Sequence, residues 1–592
     1  MYRKFTVEIP NDHKVTKKRM PNGTTYIYYE YHRKYDAGRK ITIPLRNCIG
    51  KASSDAPFMM FPNERYYEYF GEDDSRKELF TDRRSSCLRC GNHIMLGRII
   101  RNYGLDRWFK DRFGEKDGGL ILDLACYLIV TQDNASQHYP DYAYSHPLFT
   151  RQMHVYSDAK ICDLLKETIK ADDITAFTEW WNRKVGKRNE RIYISYDSTN
   201  KVSEAGDVEF VESGHSKSGI NGEPVFNVSI AMDANEKLPL FYENYLGSIV
   251  DISQLRMMID KAVALGFRHT GFILDRGYFS EDNIRHMDEN GCPFLIMVKG
   301  RKQLVSSLVL ANKGTFENDR RHSIWQYGVN GKTVEARLFS GDKSNRYLHI
   351  YYSPEKSTDE RKTLELYLQK LGEELEKLKG RDISGMNLSR FAGFFKLTFK
   401  EDKSKKIKKL VMFEEDYEKT NRAVELCGYF CIASSEKMDA KKAMLLYKAR
   451  DASEKLFLSD KTFLGSRTER IYSSGALSSK VFIEFIALII RSRIYAAISE
   501  YVEATRLRRN YLNTVSFISE MEKIELIRIG DGRYHLDHAI TATQKVLLSV
   551  FGLSFEDIGA ECLKLSKELE SLDDKSKGEN PDEDLRTDPE EE

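Results

Sequence analysis

Three acidic residues stand out by position. The run Arg191-Ile-Tyr-Ile-Ser-Tyr-Asp197 is β-rich and ends on a carboxylate, and Thr270-Gly-Phe-Ile-Leu-Asp275 does the same. A carboxylate closing a buried strand is costly unless something binds it. A hard cation with oxygen ligands is one natural partner; for either residue alone, a structural salt bridge is the other. The third acid, Glu454, follows a stretch with helical spacing that begins near Asp439. On one helix, Tyr447, Arg450, Glu454 and Lys461 fall within roughly 60° of arc at about 100° per residue. A carboxylate, two cations and a phenol thus share one stripe. A solvated face with an ion pair between Arg450 and Glu454 produces the same stripe.

Positioning these residues requires a sheet. After the Asp197 strand, Val225–Ala231 and Leu238–Tyr245 read as the second and third strands of a meander. A helix over about 252–265, the Asp275 strand, a helix over 280–290 and a strand over 293–298 follow. Three strands, helix, strand, helix, strand describe a mixed α/β sheet. Residues 301–425 interrupt it with short strand-like pieces and a charged helix over 360–379, and read as an inserted subdomain. The strand Gly428–Ala433 resumes the sheet. The expected layout is a β-rich module over 1–85 and a helical region over 86–190, both candidates for DNA binding, and the sheet's two parts over 191–300 and 426–505. A helical region over 506–570 and a disordered acidic tail over 571–592 complete it.

The motifs carry a resemblance. Tyr447-x2-Arg450-x3-Glu454-x6-Lys461 is similar to the Y-R-E-K signature of bacterial insertion-sequence transposases of the DDE type, with no departure in spacing. Asp197-Ser-Thr resembles that family's first-Asp motif, and Asp275-Arg-Gly-Tyr278 its second. Gly214-His-Ser-Lys-Ser-Gly219, followed by Pro224, resembles the stretch between its first two strands. Ser248 stands where relatives often carry Asn. The likeness covers roughly 190–300 and 425–500, and is loose before residue 190. It implies an RNase H-like fold with a domain inserted between the second Asp and the Glu. It implies Asp197, Asp275 and Glu454 as ligands of two Mg²⁺ ions (Mn²⁺ can substitute), and Tyr447, Arg450 and Lys461 as DNA contacts. The implied reaction is cleavage at the element's ends and transfer to target DNA, with excision through double-strand breaks, by a DNA hairpin or by another route. The implied partner is double-stranded DNA, held by a homodimer. Two other readings stand beside it: an RNase H-like nuclease or resolvase, and a DNA-binding relic without catalysis.

Bulk properties read as those of a soluble, cytoplasmic protein, whose basic excess suits a polyanion partner or plain solubility equally. The chain has 592 residues, 41% of them hydrophobic, with 33 Tyr and 31 Phe, enough for a sizeable core. Net charge is +2, but Ser571–Glu592 carries ten acidic and three basic residues, which leaves residues 1–570 basic. Lys14, Lys17, Lys18, Arg19, Arg39, Lys40 and Arg46 accompany the N-terminal strands, as phosphate contacts or as a solvated strand face. Nine Cys without a repeating frame read as reduced thiols. The greasiest stretch, Val481–Ile498, contains Glu484, Arg491 and Arg493 and reads as a buried helix, not a membrane span. Cys87-x2-Cys90 with His93 is an incomplete zinc pattern. His215 and Lys217 are minor DNA-contact candidates, and Trp325 is a packing residue or a wedge between DNA bases. No Gly-rich phosphate loop is present, so ATP dependence is not expected.

Overall fold

The computed structural model describes residues 6–186, except 22, 37–40, 54, 55, 57 and 71–83. It also describes 192–576, except 204–207, 210, 216–220, 250, 268, 269, 300, 301, 403–406, 452–467, 470, 472, 507–509 and 529–532. The chain divides into two units, Met1–Ser86 and Cys87–Glu592.

The first unit is an antiparallel sheet of β1 (Val7–Glu8), β2 (Val15–Arg19), β3 (Thr25–Asp36), β4 (Ile41–Ala52) and β5 (Met59–Pro62), in the order β1-β5-β4-β3-β2. Its small core is Val7, Ile27, Ile49 and Met60, closed by Tyr66, Tyr69 and Phe70 of the helix Glu64–Phe70. Lys17, Lys18 and Arg19 are exposed along the edge strand β2, whereas Arg46 pairs with Glu30 at 3.6 Å. Arg39 and Lys40 lie outside the described residues.

The second unit begins with β6 (Cys87–Arg89). Its centre is a mixed sheet built from β7 (Ile192–Ser203), β8 (Glu212–His215), β9 (Asn221–Asp233), β10 (Leu238–Leu246), β11 (Thr270–Leu274) and β12 (Phe294–Met297). To these are added β13 (Ser323–Ile324), β14 (Val329–Ala336) and β15 (Arg346–Tyr352). The order β10-β9-β7-β11-β12-β18-β15-β14-β13 includes β18 (Tyr429–Ser434), which comes after the hairpin β16 (Phe395–Asp402) and β17 (Ile407–Glu415) in the chain. β11 runs parallel to both β7 and β12; the other neighbours along this path are antiparallel.

The stretch expected as an inserted subdomain is therefore split. Its first part, through Tyr352, widens the main sheet, because β15 pairs with β18 along its whole length. Its second part has its own core, where Leu368, Leu371 and Leu375 of the helix Pro354–Leu378 pack on Phe391, Phe395 and Leu410.

Alternation along the strands assigns each face. Ile192, Ile194 and Tyr196 of β7 and Phe272 and Leu274 of β11 pack with the helices Asp251–Ala264 and Glu281–Glu289. Tyr193 and Ile273 point the other way, against Ala443, Met444 and Tyr447 of the helix Ala440–Lys448. Further along that second face, Phe226, Val228 and Ile230 of β9 pack on the long helix Ser474–Thr505. This helix is buried almost throughout, as its apolar run requires, and it shares one core with the helices Gly91–Tyr103 and Leu105–Thr131 and with the C-terminal helices. The two helical regions, read as separate in the sequence, join in that core. β6 also pairs with β20 (Glu525–Arg528), which in turn pairs with β21 (Tyr534–Leu536). The last helix, Phe555–Ser576, enters the stretch expected as a disordered tail, and 577–592 lie outside the described residues. Among the described residues no helix is long and apolar enough to cross a membrane.

Candidate active site

Asp197 does not end its strand. β7 runs on to Ser203, and Asp197 lies one residue past the last described pair with β11. β11 pairs in parallel with β7 from Ile192 to Tyr196, with Leu274 opposite Tyr196. Beyond that point the next described partner on this edge is β19 (Thr468–Glu469), parallel to Val202 and Ser203. Asp275 is the residue that follows Leu274 and Asp197 the one that follows Tyr196, so the two acids each lie one residue past the last β7–β11 pair. Both continue the face that carries Tyr193 and Ile273.

The sequence near each Asp serves to hold this edge. The Tyr278 hydroxyl donates to Ser198 Oγ at 2.7 Å, both buried, which ties the residue after the first Asp to the turn after the second. The Tyr278 ring lies 5.0 Å from that of Tyr196, and Asn283 Nδ2 donates to the Tyr278 carbonyl at 3.1 Å. Asp197 Oδ1 accepts the Ser198 backbone N–H at 2.9 Å. Gly271 is required one turn of the pleat earlier: a Cβ there would lie 2.7 Å from the Tyr193 ring, whose hydroxyl donates to Glu436 at 2.9 Å.

The helix Ala440–Lys448 starts on an Asp439 cap, whose carboxylate accepts the Lys442 N–H at 2.6 Å. It delivers Tyr447 to the same edge, where the Tyr447 hydroxyl donates to Asp275 Oδ1 at 3.4 Å. Arg450 Nη2 stands 4.0 Å from the same oxygen, and its guanidinium lies 5.5 Å from the Tyr447 ring centre. Arg450 is largely buried, while the Asp275 side chain is 36% exposed.

The described helix stops at Lys448. The Arg450 N–H bonds back to the Tyr447 carbonyl at 3.2 Å, a tightened last turn, so Arg450 is not on the unbroken helix that the stripe assumed. Glu454 and Lys461 lie outside the described residues, as does Lys217; the His215 backbone is in β8, and its side chain is not described.

The minor candidates separate. Cys90 Sγ lies 3.8 Å from Cys562 Sγ, and His93 stacks on Phe149 at 4.4 Å. No group of three or more metal-ligating side chains occurs among the described residues, and the zinc pattern at Cys87 and Cys90 is not assembled there. Trp325 is 80% exposed, which removes the packing reading. It belongs to the turn Trp325–Tyr327, and Lys448 Nζ lies 5.8 Å from the Tyr327 ring. The turn thus sits at the end of the helix that carries Tyr447.

Sequence reasoning also missed a set of buried ions. Lys201, on β7, puts Nζ 2.6 Å from Glu484 Oε2 and 3.8 Å from Glu469 Oε1; Lys480 Nζ is 2.9 Å from Glu469 Oε2. The charges at 201, 480 and 484 were visible in the chain; their convergence was not.

Residues 197–490 match the family model described as Transposase DDE domain. The match begins on Asp197 and spans Asp275, Tyr447, Arg450 and Glu454. No curated protein matches the chain. Among solved structures, a piggyBac transposase synaptic complex with hairpin DNA is similar at 9% identity and a TM-score of 0.33, covering 78% of this chain and 76% of that one. At that score it bears on neither fold nor function here.

Proposed function

We propose that the chain is a DNA transposase with an RNase H-like sheet. It would cut at the ends of a bacterial insertion sequence and join them to target DNA. The observation that carries this reading is Asp197 and Asp275 each one residue past the last pair of the parallel strands β7 and β11, with Tyr447 and Arg450 brought to Asp275. The DDE family match over the same residues supports it.

The residues fit a divalent cation. Two carboxylates meet at one half-exposed edge, and oxygen donors of that kind suit Mg²⁺, with Mn²⁺ as substitute. Asp197, Asp275 and Glu454 would hold it. A bound pair of such ions supplies Lewis-acid activation of the attacking hydroxyl and relief of charge on the leaving oxygen.

The protein's own groups do the rest. Arg450 and Lys461 hold backbone phosphates, and the Tyr447 phenol orients Asp275 or accepts a base against its ring. Trp325, exposed next to that helix, offers a stacking surface for an unpaired base. Two ends must be joined, so the working complex holds two copies of the chain on double-stranded DNA in the bacterial cytoplasm.

The test uses duplexes carrying the inverted repeats that flank the gene. With Mg²⁺ the purified chain should nick at the repeat ends and join them to a plasmid, and EDTA should stop both. Binding to the repeats without metal-dependent cutting would leave only the relic reading. Cutting of branched DNA irrespective of the repeats would favour the resolvase.

A further inference from the structure

The first unit is built on one antiparallel sheet, and that sheet has two faces. Alternation places Ile27, Ala52 and Met60 on the face that packs with Tyr66, Tyr69 and Phe70. Their strand neighbours Tyr26, Lys51 and Phe61 therefore stand on the other face. The register lines these up. Lys18 of β2 pairs with Tyr26 of β3, Tyr26 with Lys51 of β4, and Lys51 with Phe61 of β5. Cation, ring, cation and ring thus form one row across four strands, about 14 Å long at the usual strand spacing. Tyr28, between Ile27 and the core-packed Tyr29, adds a third ring to this face, opposite Thr16 and Cys48.

An antiparallel sheet with one face on its core ordinarily turns polar residues to the other side. Here that side carries three half-buried rings, none of them part of the unit's core. Lys18 and Lys51 are exposed, and among the described residues neither has an ion pair. Lys17 and Arg19 flank Lys18 on the edge strand and are exposed as well. Nearby acids do not cancel this charge. Glu30 is already met by Arg33 at 2.5 Å and Arg46 at 3.6 Å, and Glu8 lies on β1, at the opposite edge of the sheet.

Rings and ammonium groups in one row match an unpaired nucleic-acid strand, whose bases offer flat faces and whose phosphates take cations. A duplex keeps its base faces inside the stack, so only the lysines could serve it. We propose that this face of the first unit binds single-stranded DNA. Bases stack on Tyr26, Tyr28 and Phe61, and Lys18 and Lys51 hold the phosphates between them. The unpaired strand follows from the row itself; that the strand is DNA rests on the transposase reading.

The test titrates the full-length protein into labelled oligothymidylate and follows fluorescence anisotropy, with a blunt duplex and oligouridylate for comparison. Tyr26→Leu and Tyr28→Leu keep an apolar side chain on the sheet but remove the ring. Each should weaken oligothymidylate binding about tenfold, the effect of one lost base stack, and leave duplex affinity unchanged. Lys18→Gln combined with Lys51→Gln should lower the slope of log Kd against log salt by about 1.4, at about 0.7 per phosphate of a single strand. Circular dichroism melting checks each fold, and the exposed lysine pair carries the test if the ring variants do not fold. Folded variants that bind oligothymidylate as the parent does, or that lose duplex affinity to the same extent, overturn the proposal. So does a parent chain that prefers oligouridylate. A chain that shows the expected losses yet cuts no repeat ends keeps the proposal and sinks the transposase reading.

Discussion

β7 carries two charged sites on one face, and they differ in how their charge is met. At Asp197 and Asp275 two part-exposed carboxylates lie just past the described pairing of β7 with β11. The described cation beside Asp275 is Arg450, at 4.0 Å. Four residues further along, Lys201 is sealed with Glu484, Glu469 and Lys480, two basic groups against two acidic ones. Carboxylates whose counter-charges come from the fold can be closed off from water. Carboxylates kept at a part-open edge remain able to take a cation from solution. Acidity alone does not separate the two sites; exposure and the source of the counter-charge do.

Substitutions at the two sites should give opposite profiles. The largest effect is expected at the open edge: Asp197→Ala or Asp275→Ala should cut end cleavage by about a thousand-fold or more, a loss of several kcal/mol in transition-state stabilisation. Melting temperature and end binding should change little. A folded Asp275→Ala protein that still cuts would remove the edge from the chemistry.

Lys201→Met should do the reverse, costing stability by about 3–5 kcal/mol because Glu484 and Glu469 lose a buried partner. Urea denaturation measures this, and adding Glu484→Leu should restore most of the loss. If the single variant is as stable as wild type, the set is not the closed site described above.

Arg450→Ala should weaken the complex with DNA ends by about tenfold, as expected for one charge-assisted contact. A mobility shift checks it, and the loss should shrink as salt rises. The smallest effect is expected from Tyr278→Phe, which deletes the hydroxyl bonded to Ser198: about 1 kcal/mol of stability, read by thermal melting, with a smaller loss in cleavage than either Asp variant.

Much of the sheet was legible because its strands alternate cleanly or are apolar throughout. The β9–β10 meander, the Asp275 strand and the helices on either side of it all lie within a few residues of their expected places. The strand pieces at 332–339 and 347–352 were visible too, but not their destination, and β13 was not read at all. Membership of the main sheet depends on pairing between β15 and β18, remote in sequence, and local pattern contains no such information. The helical stripe was legible as a period, yet periodicity does not reveal that the turn tightens at Arg450.

The sequence by itself offered the candidates: two acids attached to β-rich runs, and Tyr447 and Arg450 at helical spacing before Glu454. It also determined that Val481–Ile498 is buried, since apolar patterning is a local property. Only the tertiary structure decided that Asp197 lies within a strand rather than at its end, because a strand's partners, not its own residues, mark where pairing stops. It also decided that Tyr278 locks onto Ser198, and that Lys201 meets Glu469 and Glu484 rather than solvent. These are contacts between residues far apart in the chain, and long-range closure alone brings them together.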